Sequence, residues 1–287
     1  METLILAISG VTLGATYALV ALGFHLIYRA TDVLDFAQGD KVVVGGLVGL
    51  SLVQADVPMA ITFVLVAVGG LVAGLVYDQV VIGPTLRRGT EASVIATVGA
   101  LLVLGSGHVL IWGAAGKPFP PLVSGSVTIG GSQVAVQEFL VWGVVAVVVA
   151  GVMVFLARSR WGRGMVASAS DAMAATAVGI DVRRMRALAM ALAFGLAGLA
   201  GLLIAPITLA GGTIGAALTL KAFTGAILGG LHSTHGVVVG ALLLGIFESI
   251  LGGQVPYTYR DPIVFSVLIV VLLFLPRGIF GRKARAV

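Results

Sequence analysis

The sequence contains no cysteine. That excludes disulfides, thiolate metal sites and cysteine nucleophiles from the chain. Charge is nearly as scarce: Asp, Glu, Lys and Arg make up 10% of the 287 residues, against about 25% in a soluble domain. So little polar surface cannot cover a water-soluble fold, whereas lipid solvates an apolar exterior. No G-x-x-x-x-G-K-[ST] phosphate loop occurs, and neither does an H-E-x-x-H helix or a G-x-S-x-G elbow. The chain therefore offers no nucleotide site of its own and no constellation for a membrane enzyme. The opening Met1-Glu2-Thr3-Leu4 lacks a basic n-region, so the first apolar stretch is expected to be a retained helix, not a cleaved signal peptide.

Hydrophobic residues make up 59% of the chain, and glycine supplies 41 positions. A spanning helix needs about 20 mostly apolar residues. Residues 4–28, 58–77, 92–112 and 139–157 qualify, with His25 and His108 as the only side chains among them that titrate near neutral pH. Both histidines are expected to be satisfied by helix neighbours. The charge-free run 187–220 is too long for one upright helix, and Pro206 with Gly211-Gly212 is expected to end the first span inside it. Residues 262–276 form a shorter apolar segment. Segments 42–53, 216–231 and 237–251 are short or glycine-interrupted, a pattern compatible with re-entrant helices that line a cavity. The expected fold is all-α: a polytopic membrane bundle of about eight or nine spanning or re-entrant segments, forming a single transmembrane domain over residues 1–287. Gly10/Gly14, Gly45/Gly49, Gly70/Gly74, Gly225/Gly229 and Gly236/Gly240 have the spacing that lets helices approach closely.

Of the 17 basic residues, all but Lys117, Lys221 and Arg260 fall in four regions. Arg29 and Lys41 flank the first, Arg87 and Arg88 lie in the second, and six arginines crowd 158–186. Arg277, Arg282, Lys283 and Arg285 form the tail. Placing all four in the cytoplasm fits the positive-inside bias, with the N-terminus outside and the C-terminus inside. The net charge of +5 is thus read as membrane orientation, not as nucleic-acid binding. The largest outside loop, 112–136, holds Pro118, Pro120 and Pro121 and then Val127-Thr128-Ile129, Gly130-Gly131, Val134 and Val136. Alternation around a two-glycine turn predicts a small extracytoplasmic β-hairpin, either a plain surface flap or a dock for an external partner.

Segment 158–186 is too polar to span and too long for a simple turn. Alanine-rich residues 165–178 favour a helix, Gly179 would end it, and Asp181 would cap the next helix, which enters the membrane at Ala187. Two readings stand: a solvated cytoplasmic loop, or a helix presented to a cytoplasmic protein. Within the membrane, a charge costs at least about 2.5 kcal/mol. Asp35 and Asp40 flank Phe36-Ala37-Gln38-Gly39 and serve either a pathway or gate, or capping. Lys221 and Glu248 form either a structural ion pair or, through Lys221, a contact for a substrate carboxylate. Asp78 is expected at the end of its helix near the interface. His232 and His235, expected at a cytoplasmic turn, are too few for a metal site.

Three blocks carry a resemblance. The first is Leu13-Gly14-Ala15-Thr16-Tyr17-Ala18-Leu19-Val20-Ala21-Leu22-Gly23 with Leu34-Asp35-Phe36-Ala37-Gln38-Gly39-Asp40. The second is Arg163-Gly164-Met165, Ala169-Ser170-Asp171, Ala174-Ala175 and Val178-Gly179-Ile180-Asp181-Val182. The third is Lys221-Ala222-Phe223, Leu228-Gly229-Gly230-Leu231, Gly236, Gly240, Leu244-Gly245 and Glu248. In order and spacing the chain resembles the LivH-type permease of bacterial branched-chain amino-acid ABC transporters over nearly its whole length. It departs from that pattern at Gln38, where the family usually has histidine, and at His232-Ser233-Thr234-His235-Gly236, where a Gly-Ser-Ile-Pro-Gly-like turn is usual.

The resemblance implies a multi-pass subunit of the bacterial inner membrane that binds no cofactor, with ATP and Mg held by partner subunits. The implied partners are a LivM-like second permease, two cytoplasmic ATPases that are LivG- and LivF-like, an extracytoplasmic substrate-binding protein and the lipid bilayer. It implies ATPase coupling by Arg163, Gly164, Asp171, Ala174, Ala175, Gly179, Ile180 and Asp181, so that a helix-breaking change such as Ala174→Pro would uncouple transport. The candidate pathway or gate residues are Asp35, Phe36, Gln38, Gly39, Asp40 and Lys221. Branched-chain amino acids lead as substrates, with other amino acids, urea or short amides as relatives' cargoes. The competing reading is an ion-coupled secondary transporter or channel, for which a faint internal echo of Val-Val-Val and glycine after Gly39 and Gly236 is the only sequence support.

Overall fold

The computed structural model describes residues 2–129, 132–212, 214–275 and 278–280. The expected hairpin turn Gly130-Gly131 and the tail residues Arg277, Arg282, Lys283 and Arg285 lie outside them.

Helices account for nearly all of the fold. They are α1 (Glu2–Thr31), α2 (Gln38–Gln54), α3 (Met59–Tyr77), α4 (Gly83–Leu86), α5 (Thr90–Trp112) and α6 (Val136–Arg158). They continue with α7 (Arg160–Ser170), α8 (Ala172–Ala177), α9 (Val182–Thr208), α10 (Gly215–Gly229), α11 (Thr234–Gln254) and α12 (Tyr257–Phe274). Among the described residues six helical stretches are long and apolar enough to cross a membrane: Leu6–Thr31, Met59–Leu86, Thr90–Trp112, Val136–Arg158, Val182–Thr208 and Thr234–Gln254. Helices α2, α10 and α12 complete the bundle, in line with the expected segment count. Each backbone N–H and C=O in lipid must be met within the segment, which is why the apolar runs are helical.

Helices α1 and α9 form the centre. Ala18, Leu19, Ala21, Leu22 and Ile27 of α1 are fully buried, as are Ala193, Ala197, Ala200, Leu202 and Leu203 of α9. Around them α1 packs on α9, α10 and α11, and α9 packs on α2 and α3. The outer helices keep apolar side chains exposed, for example Val64, Val68 and Val72 on α3 and Leu102, Val103 and Leu110 on α5. The expected glycine pairs sit where backbones meet, except that Gly49 faces the Leu202 side chain. A Cβ at Gly45 would lie 2.5 Å from Gly198 Cα, and one at Gly225 would lie 2.7 Å from Ala241 Cα. Only hydrogen leaves room for those contacts.

Several boundaries differ from the sequence reading. Helix α9 runs through Pro206 and ends at Leu209, whose φ is +81°. Proline this close to the end forfeits little, and membrane helices tolerate it. Gly211 and Gly212, at φ +91° and +74°, do lie in the break before α10. After α3 the helix continues through one π turn, Asp78–Ile82, into α4. At that turn Asp78 accepts two hydrogen bonds from Arg186, at 2.7 and 3.2 Å. The hairpin forms as an antiparallel pair, β1 (Ser126–Ile129) and β2 (Ser132–Ala135), with Val127 opposite Val134. Lys117 and Ala210 exchange backbone bonds at 2.7 and 2.8 Å, tying the long loop to the end of α9.

The expected helix over 165–178 is two helices. The α7–α8 break falls at Asp171, whose carboxylate accepts from the Ala174 N–H at 2.9 Å. A short acidic side chain that caps the following turn competes with continuation of the preceding helix.

Candidate functional site

Two polar clusters and one arginine-rich elbow carry the residues singled out in the sequence. The first cluster forms where α2 begins. Thr31 Oγ1 donates to the Ile27 carbonyl at 2.8 Å and accepts from the Val33 N–H at 3.2 Å, and Asp32 adopts φ +53°. The chain thereby turns back into the bundle, where Val33, Asp35 and Gln38 are fully buried. Irregular backbone at membrane depth is tolerated only inside protein or along a cavity. Here it is pinned from both sides. Thr97 of α5 donates to the Leu34 carbonyl at 3.1 Å, and Thr219 of α10 donates to the Phe36 carbonyl at 3.2 Å. Thr219 also accepts from the Gly39 N–H at 2.8 Å.

Asp35 and Lys41 form an ion pair with both side chains buried. The sequence reading set Lys41 at the edge of a cytoplasmic loop. Instead it lies one turn into α2, inside the protein, because Asp35 is folded back toward it. A buried pair survives only when its remaining donors and acceptors are met, and these are. Asp35 also accepts from the Ala37 N–H at 3.0 Å and the Tyr77 hydroxyl at 3.2 Å. Lys41 Nζ donates to Gln38 Oε1 at 3.1 Å and sits 4.4 Å from the Tyr77 ring centroid and 4.1 Å from that of Phe194. Gln38 in turn donates to the Ala193 carbonyl at 3.4 Å. Asp40 is on the other side of the same turn, against the start of α10. A Cβ at Gly215 would meet its carboxyl carbon at 2.9 Å. Gly39 is required here, since a Cβ on it would collide with the Gly215 carbonyl oxygen.

Lys221 belongs to the second cluster. Its ammonium lies 2.5 Å from Glu248 and 2.9 Å from Asp261, and Tyr17 donates to the other Glu248 oxygen at 3.0 Å. Helices α1, α10, α11 and α12 meet there. Thr219 and Lys221 are two residues apart on α10 yet serve different clusters. The candidate pathway residues are therefore split: Asp35, Phe36, Gln38, Gly39 and Asp40 together, and Lys221 apart.

The histidines divide. His25 Nδ1 is 2.6 Å from the Leu231 carbonyl and its Nε2 is 2.9 Å from Thr234 Oγ1. His108 does not meet its expectation, for both ring nitrogens are buried without a hydrogen-bond partner. It lies on α5, which packs only lightly on α2. Among the described residues no three His, Asp or Glu side chains converge as a metal site would require.

The elbow is built from α7, α8 and the start of α9. Ser159 caps α7 by accepting from the Gly162 N–H at 2.8 Å. Gly164 is buried against Met185, where a Cβ would lie 2.8 Å from Sδ. Arg163 is exposed. Helix α8 ends as the sequence predicts: Gly179 has φ +85° and donates to the Thr176 carbonyl at 3.0 Å, while Ile180 donates to the Ala175 carbonyl at 2.9 Å. These two bonds are a Schellman motif. Asp181 then accepts from the Arg184 N–H at 3.1 Å. Ala175 is buried at 4% exposure and anchors α8, whereas Met173 and Val178 stand 85% and 78% exposed. Ala174 is exposed in the first turn of α8. Apolar side chains projected from a polar elbow suit a protein contact.

Sequence reasoning missed Lys41, Tyr77, Thr97, Thr219 and Tyr17. The spacing of Asp35 and Lys41 fits no helical face, so only the folded-back turn brings them together. The hydroxyl residues sit in apolar runs that read simply as spans.

Residues 6–275 match the family described as the permease component of the branched-chain amino acid transport system. The chain is 31% identical to the high-affinity branched-chain amino acid transport system permease protein LivH of Escherichia coli K12, covering 96% of this chain and 94% of the relative. It is 30% identical to the corresponding protein BraD of Pseudomonas aeruginosa, over the same shares. It is also 28% identical to a probable branched-chain amino acid transport permease protein LivH of Methanocaldococcus jannaschii, over 92% and 88%. With its polytopic helical bundle and a family match spanning nearly its full length, the chain belongs to the branched-chain amino acid transport permease family.

Proposed function

We propose that this chain is the transmembrane permease subunit of an ABC importer in a bacterial inner membrane, and that it carries branched-chain or related amino acids. All of residues 1–287 serve as one transmembrane domain. A second, LivM-like permease completes the pathway, an extracytoplasmic binding protein delivers the substrate, and LivG- and LivF-like subunits hydrolyse ATP with Mg. This chain binds no cofactor itself. Arg163, Gly164, Asp171, Ala174, Ala175, Gly179, Ile180 and Asp181 form the coupling element. Asp35, Phe36, Gln38, Gly39 and Asp40 form a gate at the start of α2, and Lys221 in the second cluster lines the pathway with them.

The observation that carries this reading is the build of α8. Both ends are capped, one side is anchored through Ala175, and Met173 and Val178 face outward. Helix α8 touches α9, and Ile180 just beyond its end packs against the core cluster that includes Met185 of α9, at the centre of the bundle. A push on α8 by a moving ATPase would therefore pass into α9 as a rigid-body shift, and α9 touches the gate through the Ala193 carbonyl.

Ala174→Pro is a poor test, because the Ala174 N–H bonds only the Asp171 side chain. Ala175→Pro removes a backbone bond to the Asp171 carbonyl, 3.0 Å long, and unseats the buried anchor. In the reconstituted complex this variant should hydrolyse ATP but accumulate little amino acid. Normal uptake would refute the coupling assignment. Uptake that persists with the ATPase subunits omitted would favour an ion-coupled carrier instead.

A further inference from the structure

Helix α7 lies at the foot of the bundle beside two openings. One is an apolar fissure of about 330 Å3 walled by Leu75 of α3, Phe155 of α6, and Ala187 and Leu188 of α9. The other is a groove of about 680 Å3 between α7 and the start of α9, with Arg160, Arg163 and Arg184 along it. Trp161 and Arg184 line both. The fissure sits where apolar spans give way to arginines, since Phe155 comes one turn before Arg158 and Leu188 just after Arg186. Trp161 is 43% exposed, and the Arg160 guanidinium carbon lies 5.6 Å from its ring centroid. Arg184 is partly neutralised by Asp181, at 2.9 Å. Arg160 and Arg163 have no carboxylate partner among the described residues.

A dry slot beside a tryptophan, with Arg184 in its wall and Arg160 and Arg163 along the adjoining groove, has the polarity profile of one phospholipid. Tryptophan favours headgroup depth, and basic pockets between helices on the cytoplasmic side attract anionic headgroups. Apart from Arg184 and the Trp161 ring the slot wall is aliphatic or aromatic, which suits an acyl chain better than a polar protein surface. We propose that this elbow holds an anionic phospholipid of the inner leaflet. Its phosphate rests against Arg160 and Arg184, and an acyl chain runs along Leu75 and Leu188. The groove shares Arg163, Gly164, Gly179, Ile180 and Asp181 with the proposed coupling element, so the lipid lies against the helix that leads into α8.

The test uses the full chain with Trp112 and Trp142 replaced by Phe, so that Trp161 alone fluoresces. It is reconstituted in mixtures of phosphatidylglycerol and phosphatidylcholine in which one or the other is dibrominated. Brominated phosphatidylglycerol should quench Trp161 several-fold more effectively at equal mole fraction, and Arg160→Gln with Arg184→Gln should bring the ratio close to one. Equal quenching by both lipids, or a preference that survives the double change, would overturn the site. So would a Trp161 quenched by neither lipid and shielded only when ATPase subunits are added. Should the tryptophan replacements fail to fold, native mass spectrometry of the unaltered permease extracted from the same mixtures gives the second reading. Retained phosphatidylglycerol that is displaced by Leu188→Trp supports the site, and no selective retention refutes it.

Discussion

Removing the Lys41 ammonium would leave Asp35 buried with a hydroxyl and an N–H but no counter-charge. Breaking a buried pair from one side costs about 3–5 kcal/mol. Lys41→Met should therefore lower the resistance of the purified protein to chemical unfolding by that order. Adding Asp35→Asn should restore part of the loss, because the pair disappears together. Strictly additive losses in this double-mutant cycle would mean that the two groups do not interact as described. The second cluster behaves differently. Asp261 is 45% exposed on its side chain, and Lys221 keeps Glu248 without it. Asp261→Asn should change stability by no more than about 1 kcal/mol, whereas Lys221→Met leaves two carboxylates facing each other and should cost several times more. The sequence named Asp35, Gln38 and Asp40 as a group because they are polar residues inside an apolar context. It could not name Lys41, since a lysine beside a loop reads as a cytoplasmic charge until the turn at Asp32 folds the loop inward.

At the level of elements, packing of α2 on α9 depends on glycine facing glycine. Gly45→Leu would drive a side chain into Gly198, where even a Cβ lies 2.5 Å from Cα. Overpacking costs about 1–3 kcal/mol when neighbours can yield, and here the neighbour is backbone. The expected outcome is loss of monodisperse permease on size exclusion, with Gly69→Leu as a control because nothing lies within 4 Å of a Cβ there. Asp171→Ala should cost α8 about 1 kcal/mol through its lost cap, read as faster proteolysis of the elbow. Helix content was legible from apolar runs alone, and the α8–α9 junction was legible from Gly179 and Asp181. The division of residues 165–178 was not, because alanine propensity favours one long helix and the Asp171 cap wins only in the folded geometry. Nor was the continuation through Pro206, where the end of α9 is set by Leu209 and the Lys117–Ala210 bridge beyond it.

For the whole molecule, a central pair α1 and α9 is surrounded by helices whose outward faces are apolar, while six arginines collect at one elbow. This follows from lipid as solvent and from the positive-inside bias. On that bias the elbow is assigned to the cytoplasm, and the proposed function has an ATPase subunit grip α8 there. The native chain has no cysteine, so a single introduced one reports alone. Met173→Cys, at a site 85% exposed, should react with a membrane-impermeant maleimide in inside-out vesicles and not in right-side-out vesicles. It should become protected when the ATPase subunits assemble. Labelling from the external side, or equal labelling with and without those subunits, would contradict the account.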